Sequence, residues 1–158
     1  MSPPRSDDRQ QLLDLVARYA QGVDRRDLDA LVDCFTPDAR LMFVSTGAVL
    51  VGHDEIRQFF AEGFSGLMAP ATSASTHVMT NTLVTFTDSG DEAAMETTAV
   101  SYFATETRAE VGVRGLTYSD RCVRSAAGWR FQERTHALHW EASMPGGVRR
   151  QEPGPFTR

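Results

Sequence analysis

The sequence has 158 residues, long enough for one domain with a substantial hydrophobic core, and 41% of them are hydrophobic. Its net charge of −5 disfavours nucleic acids and anionic membranes as partners, because both select basic surfaces. All 16 basic residues are arginine, which excludes Schiff-base chemistry on a lysine. We expect a single domain over residues 1–158, with a core of about 8–141 and an irregular C-terminal tail at 142–158.

Two cysteines and the N-terminal stretch indicate a cellular location. Cys34 and Cys122 have neither CxxC nor metal-ligand spacing, so we expect two buried free thiols in a reducing compartment. No apolar run reaches membrane-spanning length, and residues 1–9 lack the apolar segment of a signal peptide. These features together predict a cytoplasmic protein.

The N-terminal third predicts two helices that meet at a corner. Apolar residues at helical spacing indicate a first helix that ends near residue 23. They are Leu12, Val16, Tyr19 and Val23. Asp24 follows at the carboxyl end, where the helix dipole disfavours a carboxylate, so we expect it to have a partner or a task. Asp27 suits the N-cap of a second helix over 28–35, and Pro37 is expected to end that helix.

The next segments predict a short hairpin and a third helix. A first strand is expected over 39–45 and a return strand over 48–51, with a turn at 46–47. A helix starting at Gly52 carries an apolar side, and residues 65–74 have the composition of a loop.

Beyond residue 75 the pattern changes to a period of two, which predicts long strands joined by short turns. The expected strands are 75–87, 92–105, 114–125 and 129–140, with a connection at 108–113. Such strands form an antiparallel meander, and three preceding helices make the fold class α+β. Because three helices cannot cover so long a sheet completely, a pocket is expected between helices and sheet.

Polar residues on two of these strands are candidates for that pocket. By alternation, His77, Met79 and Asn81 share one face of their strand, and buried His and Asn side chains need hydrogen-bond partners. On the last strand two sets alternate, and alternation alone leaves open which set faces the pocket. The first set is Arg130, Gln132, Arg134 and His136; the second is Trp129, Phe131 and Glu133.

Several short motifs occur in a characteristic order along the chain. They are Gly-Val-Asp-Arg-Arg-Asp, Phe-Thr-Pro-Asp-Ala, Gly-His-Asp-Glu-Ile, Thr-His-Val-Met-Thr-Asn, Tyr-Ser-Asp-Arg and Gly-Trp-Arg-Phe-Gln-Glu-Arg. In this order they resemble the SnoaL-like branch of the nuclear transport factor 2-like superfamily, over about residues 8–141. The resemblance implies a cone-shaped α+β barrel, with N-terminal helices packed on a curved antiparallel sheet around a deep cavity. The pattern is most similar to scytalone dehydratase, hexachlorocyclohexane dehydrochlorinase and bile-acid 7α-dehydratase.

The resemblance also implies a catalytic site. In those enzymes an Asp at the end of the first helix pairs with a His on the third strand, which matches Asp24 and His77 here. A tyrosine of the first helix matches Tyr19, and an arginine after the last-strand tryptophan matches Arg134. Five residues are expected to bind substrate: Phe43, Met79, Asn81, Tyr102 and Tyr118.

The implied chemistry needs neither cofactor nor metal. A His held by a carboxylate acts as a general base, Tyr19 can donate to a developing enolate, and Arg134 can stabilise a departing anion or hold Asp24. The four histidines, at positions 53, 77, 136 and 139, lack a metal-ligand motif. The expected function is therefore a cofactor-independent lyase, isomerase or cyclase acting on a hydrophobic, polycyclic or polyketide-like small molecule.

The sequence also departs from relatives, and a second function class stays open. An apolar run at 41–44 replaces the base carboxylate of ketosteroid isomerases, and Tyr102 lies where scytalone dehydratase has a second histidine. The superfamily also contains non-catalytic binding modules and the small subunits of ring-hydroxylating dioxygenases. The alternative is a ligand-binding or assembly module of that kind.

The length of the sheet predicts self-association. Four apolar strand residues are too many to reach one pocket, so some are expected on a second face. They are Val84, Phe86, Phe103 and Val123. We expect a homo-oligomer, either a dimer or a trimer.

Overall fold

A computed structural model describes residues 5–66, 74–104 and 109–146. These residues form three helices and six strands. The helices all lie in the first half of the chain, and the second half is entirely β. The helices are α1 (Arg5–Arg25), α2 (Leu28–Val32) and α3 (Gly52–Ser65). The strands are β1 (Phe35–Phe43), β2 (Ala48–Val51), β3 (Ala74–Phe86), β4 (Glu92–Ala104), β5 (Glu110–Ser125) and β6 (Gly128–Pro145).

The six strands form one curved sheet in the order β2-β1-β6-β5-β4-β3. The predicted antiparallel meander spans β3 to β6, and the α+β class is confirmed. One pairing is parallel, because β1 lies beside β6 in the same direction. The sheet is open rather than closed into a barrel, since β2 and β3 lie at its two ends.

The second helix is shorter than the sequence predicts. It ends at Val32, and Phe35 begins β1, which contains Pro37. Proline lacks an N–H and fits a strand only where the ladder is interrupted. The register between β1 and β6 shifts between Phe35 and Arg40, and Pro37 lies inside that irregular stretch. The helix prediction over 28–35 was therefore wrong in its last turn.

The last two strands are longer than predicted, because they remain paired with each other to their ends. Residues 110–113, predicted as a connection, belong to β5, and β6 continues past residue 140 to Pro145. Two glycines in β5 leave room for rings: a Cβ on Gly112 would lie 2.2 Å from the Phe103 ring, and one on Gly115 would lie 2.1 Å from Trp140. The predicted loop at 65–74 and the tail beyond residue 146 fall mostly or wholly outside the described residues.

The helices pack on one face of the sheet, which we call the inner face. Its core joins α1 to the strands through large, fully buried side chains. Among them are Leu12, Leu15, Tyr19, Leu41, Tyr118, Trp129 and Phe131. Cys34 and Cys122 are both buried and free, as predicted. Among the described residues, none of the helices is long and apolar enough to span a membrane.

The corner between α1 and α2 is fixed by two backbone devices. Arg26 adopts a left-handed conformation, with φ of 58°, and so ends α1. Asp27 caps α2, because its carboxylate accepts a hydrogen bond of 3.0 Å from the Ala30 N–H. The corner holds the end of α1, where Asp24 lies, in a fixed direction.

Loss of this cap is expected to lower stability slightly. Asp27→Ala should reduce the free energy of unfolding by about 1 kcal/mol, because the Ala30 N–H loses its acceptor. Urea unfolding of the variant checks this value. Asp27→Asn keeps an acceptor oxygen and is the matched control; equal losses in both variants would contradict the capping role.

The predicted reason for self-association was partly wrong. Val84 and Phe86 pack against the core, and Phe103 lies beneath Arg114 on the inner face. Other large apolar residues are 40–69% exposed on the opposite, outer face of the meander. They are Val78, Leu83, Tyr102, Trp140 and Met144. These side chains give the outer face an apolar character, and a homo-oligomer through it stays a prediction.

Candidate active site

Asp24 and His77 are in direct contact between the end of α1 and the start of β3. The Asp24 Oδ1 lies 2.6 Å from the His77 Nδ1, and Oδ2 accepts a 2.8 Å hydrogen bond from the His77 backbone N–H. The Ser75 hydroxyl donates to Oδ1 at 2.9 Å. The side chains of His77 and Asp24 are 15% and 21% exposed, so the pair is largely shielded but reachable.

This geometry defines what the histidine can do. With Nδ1 donating to the carboxylate, the neutral ring presents Nε2 as a proton acceptor. Three hydrogen bonds hold the Asp24 carboxylate in place and thereby fix the orientation of the ring. Sequence reasoning missed Ser75, although it lies two residues before His77 and so on the same face of β3. The arrangement is suited to general-base chemistry.

Tyr19 lies on α1, five residues before Asp24 in the sequence, and its side chain is deep in the core. It is 2% exposed and makes edge contacts with four aromatic rings. They belong to Phe35, Phe60, Tyr118 and Phe131. Burial raises the pKa of Tyr19 to about 12, although the positive charge of Arg134 opposes the shift. The phenol therefore keeps its proton at neutral pH and remains a hydrogen-bond donor.

Arg134 faces the inner side of the sheet and is completely buried. It pairs with Asp120 rather than with Asp24: Nε lies 2.9 Å from Oδ1 and Nη2 lies 3.1 Å from Oδ2. Its Cζ atom lies 4.0–4.1 Å from the ring centres of Tyr19, Tyr118 and Phe131. Burial raises the pKa of the Asp120 carboxyl, and the contact with Arg134 opposes that shift. The expectation that Arg134 holds Asp24 was wrong.

Three of the expected substrate-binding residues share the inner face with the pair. Met79 and Phe43 pack at the edge of the core, and Tyr118 is buried beside Tyr19. Phe43 stacks on Phe59 of α3 at 4.9 Å between ring centres. These side chains give the inner face an apolar, aromatic character.

The other two expected substrate-binding residues lie elsewhere. Asn81 is exposed with a φ of 48° at a bulge in β3, so the extra residue breaks the alternation that linked it to His77. Thr82 takes the inward position instead and contacts Thr97 at 3.1 Å. Tyr102 is 40% exposed and lies on the outer face, because its neighbour Ser101 points inward opposite His77. Both assignments were wrong.

His136 is a polar residue of this face that sequence reasoning did not select. Its ring contacts Phe43 and Tyr118, with ring centres 5.2 and 5.4 Å away. Burial lowers the pKa of His136 to about 4, and the positive charge of Arg134 and the nearby Arg114 add to the shift. The signal in the sequence was its position two residues after Arg134, which puts both on one face of β6.

The titration of His136 can be observed directly. The imidazole carbon signals should show a ring that stays neutral from pH 8 down to about pH 4, because burial and the charges of Arg134, Arg114 and His77 oppose its protonation. Between pH 6.5 and 4 the unfolded chain then binds the proton more readily than the folded one. The contribution of His136 to stability is complete above pH 6.5 and is lost as pH falls toward 4. His136→Gln should flatten that part of the stability profile; a ring titrating near 6.5 would contradict the assignment.

Within residues 5–66, 74–104 and 109–146, no three His, Cys, Asp or Glu side chains lie close enough together to hold a metal ion.

Comparison with known proteins places this geometry in a family. The SnoaL-like domain family matches residues 4–135. An uncharacterized protein of Mycobacterium tuberculosis is 27% identical over 139 residues, which cover 87% of this chain and 89% of that protein.

Two solved structures share the fold. A Novosphingobium aromaticivorans protein, provisionally named an aromatic ring hydroxylase, is 28% identical to this chain. The two structures superimpose with a TM-score of 0.77, over 90% of this chain and 96% of that protein. A hexachlorocyclohexane dehydrochlorinase is 18% identical to this chain. The two structures superimpose with a TM-score of 0.77, over 95% of this chain and 97% of that enzyme. The family match, the helices over a curved open sheet and these neighbours agree, and the chain belongs to the SnoaL-like family of the nuclear transport factor 2-like superfamily.

Proposed function

We propose that the protein is a cofactor-independent lyase, isomerase or cyclase that removes a proton from a hydrophobic, polycyclic or polyketide-like small molecule. The observation that carries the proposal is the 2.6 Å contact between Asp24 Oδ1 and His77 Nδ1. A helix-end carboxylate and a largely shielded strand histidine are poor structural choices separately, but together they make a general base.

In the proposed mechanism His77 Nε2 takes a proton from carbon next to a carbonyl group. Asp24 holds the ring and stabilises the imidazolium that forms. Tyr19, protonated at neutral pH, and Arg134 provide hydrogen-bond donors and positive charge on the same inner face for the developing enolate or a departing group. No redox step is needed, because the proton only moves from carbon to His77 and onward to the product or to water.

The apolar side chains of the inner face indicate the class of substrate. The Phe59 ring contacts the rings of Phe43 and Phe60, and Met79 packs against the hydrophobic core. Such surfaces bind flat or cyclic hydrocarbon skeletons through buried apolar area. A hexachlorocyclohexane dehydrochlorinase of the same fold fits this class of substrate, although that likeness concerns the fold alone.

Deuterium exchange tests the proposal without knowledge of the natural substrate. The chain is incubated in heavy water with 1-tetralone, 2-tetralone, 1-indanone and 2-indanone, and exchange at the α-carbon is followed by NMR. Exchange well above the buffer rate on at least one ketone is expected from the wild type, and from His139→Ala, which changes an exposed histidine away from the pair. Ketones that bind without faster exchange would contradict the enzyme proposal.

That contrary result would favour the second candidate, a non-catalytic binding or assembly module similar to a dioxygenase small subunit. The observation in its favour is the 28% identity with a protein provisionally named an aromatic ring hydroxylase. The two candidates differ in one measurable property, because a binding module holds the ketone but leaves its α-protons at the buffer rate of exchange.

A further inference from the structure

His136 and Arg134 form a second polar group on the inner face, apart from the Asp24–His77 pair. Alternate residues of one strand project from the same face about 6–7 Å apart. In the sheet register Arg134 is paired with Asp120 and His136 with Tyr118, two neighbouring inward positions of β5. His77 lies in a different row, opposite Ser101.

Among the described residues, each of the two side chains has one buried polar atom with no hydrogen bond of normal geometry. Arg134 uses Nε and Nη2 to bind Asp120, but its Nη1 is buried and has no hydrogen bond among the described residues. The His136 Nδ1 is likewise buried without a hydrogen bond of normal geometry in the described part of the chain. An unsatisfied buried polar group costs roughly 1–3 kcal/mol, so folded proteins rarely keep one without a reason.

The chemistry of both atoms points to the same guest. Arg134 Nη1 is a charged donor that accepts no hydrogen bond, and a neutral imidazole carries one N–H and one lone pair. An oxygen atom can accept from both groups, and a hydroxyl can also donate to the ring. A cation is excluded by the Arg134 charge, and a purely apolar guest would leave both atoms unsatisfied.

We propose that His136 and the Nη1 of Arg134 together bind one oxygen atom of the substrate, so that His136 selects molecules with a carbonyl or enol oxygen at this position. The inference rests on the proposed function, since it names the groups that bind the oxygen of the carbonyl next to the carbon that loses its proton. Phe43 and Tyr118 flank the His136 ring and hold the adjoining carbon skeleton. His136 is partly exposed as a residue, although its Nδ1 is buried.

Two probes of nearly equal shape test the proposal. 2-Naphthol is a stable analogue of the enol of 2-tetralone, and naphthalene lacks only its hydroxyl group. The wild type should bind 2-naphthol at least about tenfold more tightly than naphthalene, as one or two net hydrogen bonds provide. In His136→Phe this preference should fall by roughly tenfold, through weaker binding of 2-naphthol, while the affinity for naphthalene stays similar. Dissociation constants are measured by fluorescence or NMR titration.

Controls separate this inference from a structural role and from the proposed reaction. His139→Phe, on the exposed part of β6, should leave both affinities unchanged. If His136→Phe folds poorly, the same loss of preference is expected in His136→Ala, and the imidazole nitrogen signals of His136 should move when 2-naphthol is added to the wild type. Equal affinities for the two probes, no measurable binding of either, or equal losses of both in the variant would overturn the proposal; equal losses would indicate that His136 only shapes the apolar site. Failure of the proposed reaction would appear differently, as absent deuterium exchange with the 2-naphthol preference intact.

Discussion

Replacement of His77 by alanine is expected to lower the catalysed rate of α-deuterium exchange by about 10²- to 10⁴-fold, the usual contribution of a general base. The Nε2 atom of the imidazole is available to take the proton, because the other ring nitrogen faces Asp24 at 2.6 Å. Exchange rates on the best ketone of the panel, normalised to ligand affinity, measure the loss. The His77 side chain is 15% exposed and is not part of the hydrophobic core cluster, so the variant should remain folded.

Asp24→Asn should produce a loss on the same scale by a different route. The amide is nearly isosteric, but its NH₂ group cannot accept the hydrogen bond that a carboxylate oxygen accepts from His77. The ring then loses both its orientation and the negative charge that stabilises its protonated form.

The two losses should not add. Both side chains act on one proton transfer, so the double variant should be little slower than His77→Ala alone. Ser75→Ala removes one of three hydrogen bonds to Asp24 and should cost much less, as should Tyr19→Phe. Full turnover in His77→Ala, or additive losses in the double variant, would place the base elsewhere.

Local patterns in the sequence drew attention to Asp24 and His77 separately, and the family resemblance predicted that the two side chains pair. Asp24 is conspicuous because a helix end disfavours a carboxylate, and His77 because it interrupts an apolar strand. Asn81 looked equivalent to His77 by alternation, but a bulge at that position shifts the register by one residue. Bulges depend on cross-strand pairing, which a single strand's sequence does not contain.

The sequence also did not predict ion-pair partners that are distant along the chain. The buried carboxylate of Asp8 accepts hydrogen bonds from Arg124 at 2.6 Å and from the Trp129 indole N–H at 3.1 Å. Arg134 was connected with Asp24 by resemblance, whereas its partner Asp120 lies across the neighbouring strand. In each case an acid and its partner are distant in sequence and come together only in the folded chain.

The Arg134–Asp120 pair should dominate the stability of the inner face. Neither side chain is exposed, and the two hydrogen bonds between them are the compensation for burying both charges. Arg134→Met leaves the Asp120 carboxylate buried beside aromatic rings without its cation. We expect this variant to lose about 3–5 kcal/mol of unfolding free energy in urea titration, the usual cost of breaking a buried ion pair.

A double variant separates the attraction between the charges from the cost of an orphaned one. Asp120→Leu alone leaves Arg134 without its anion and should also lose about 3–5 kcal/mol. When both changes are combined, neither charge of this pair remains, and the apolar replacements can pack against Tyr19, Tyr118 and Phe131. The double variant should therefore be more stable than either single variant, so the two losses of unfolding free energy should be strongly non-additive. Losses that simply add would show that the two residues stabilise the fold through separate contacts. Recovered stability without recovered 2-naphthol preference would show that the pair is kept for its free Nη1 donor rather than for the strength of the core.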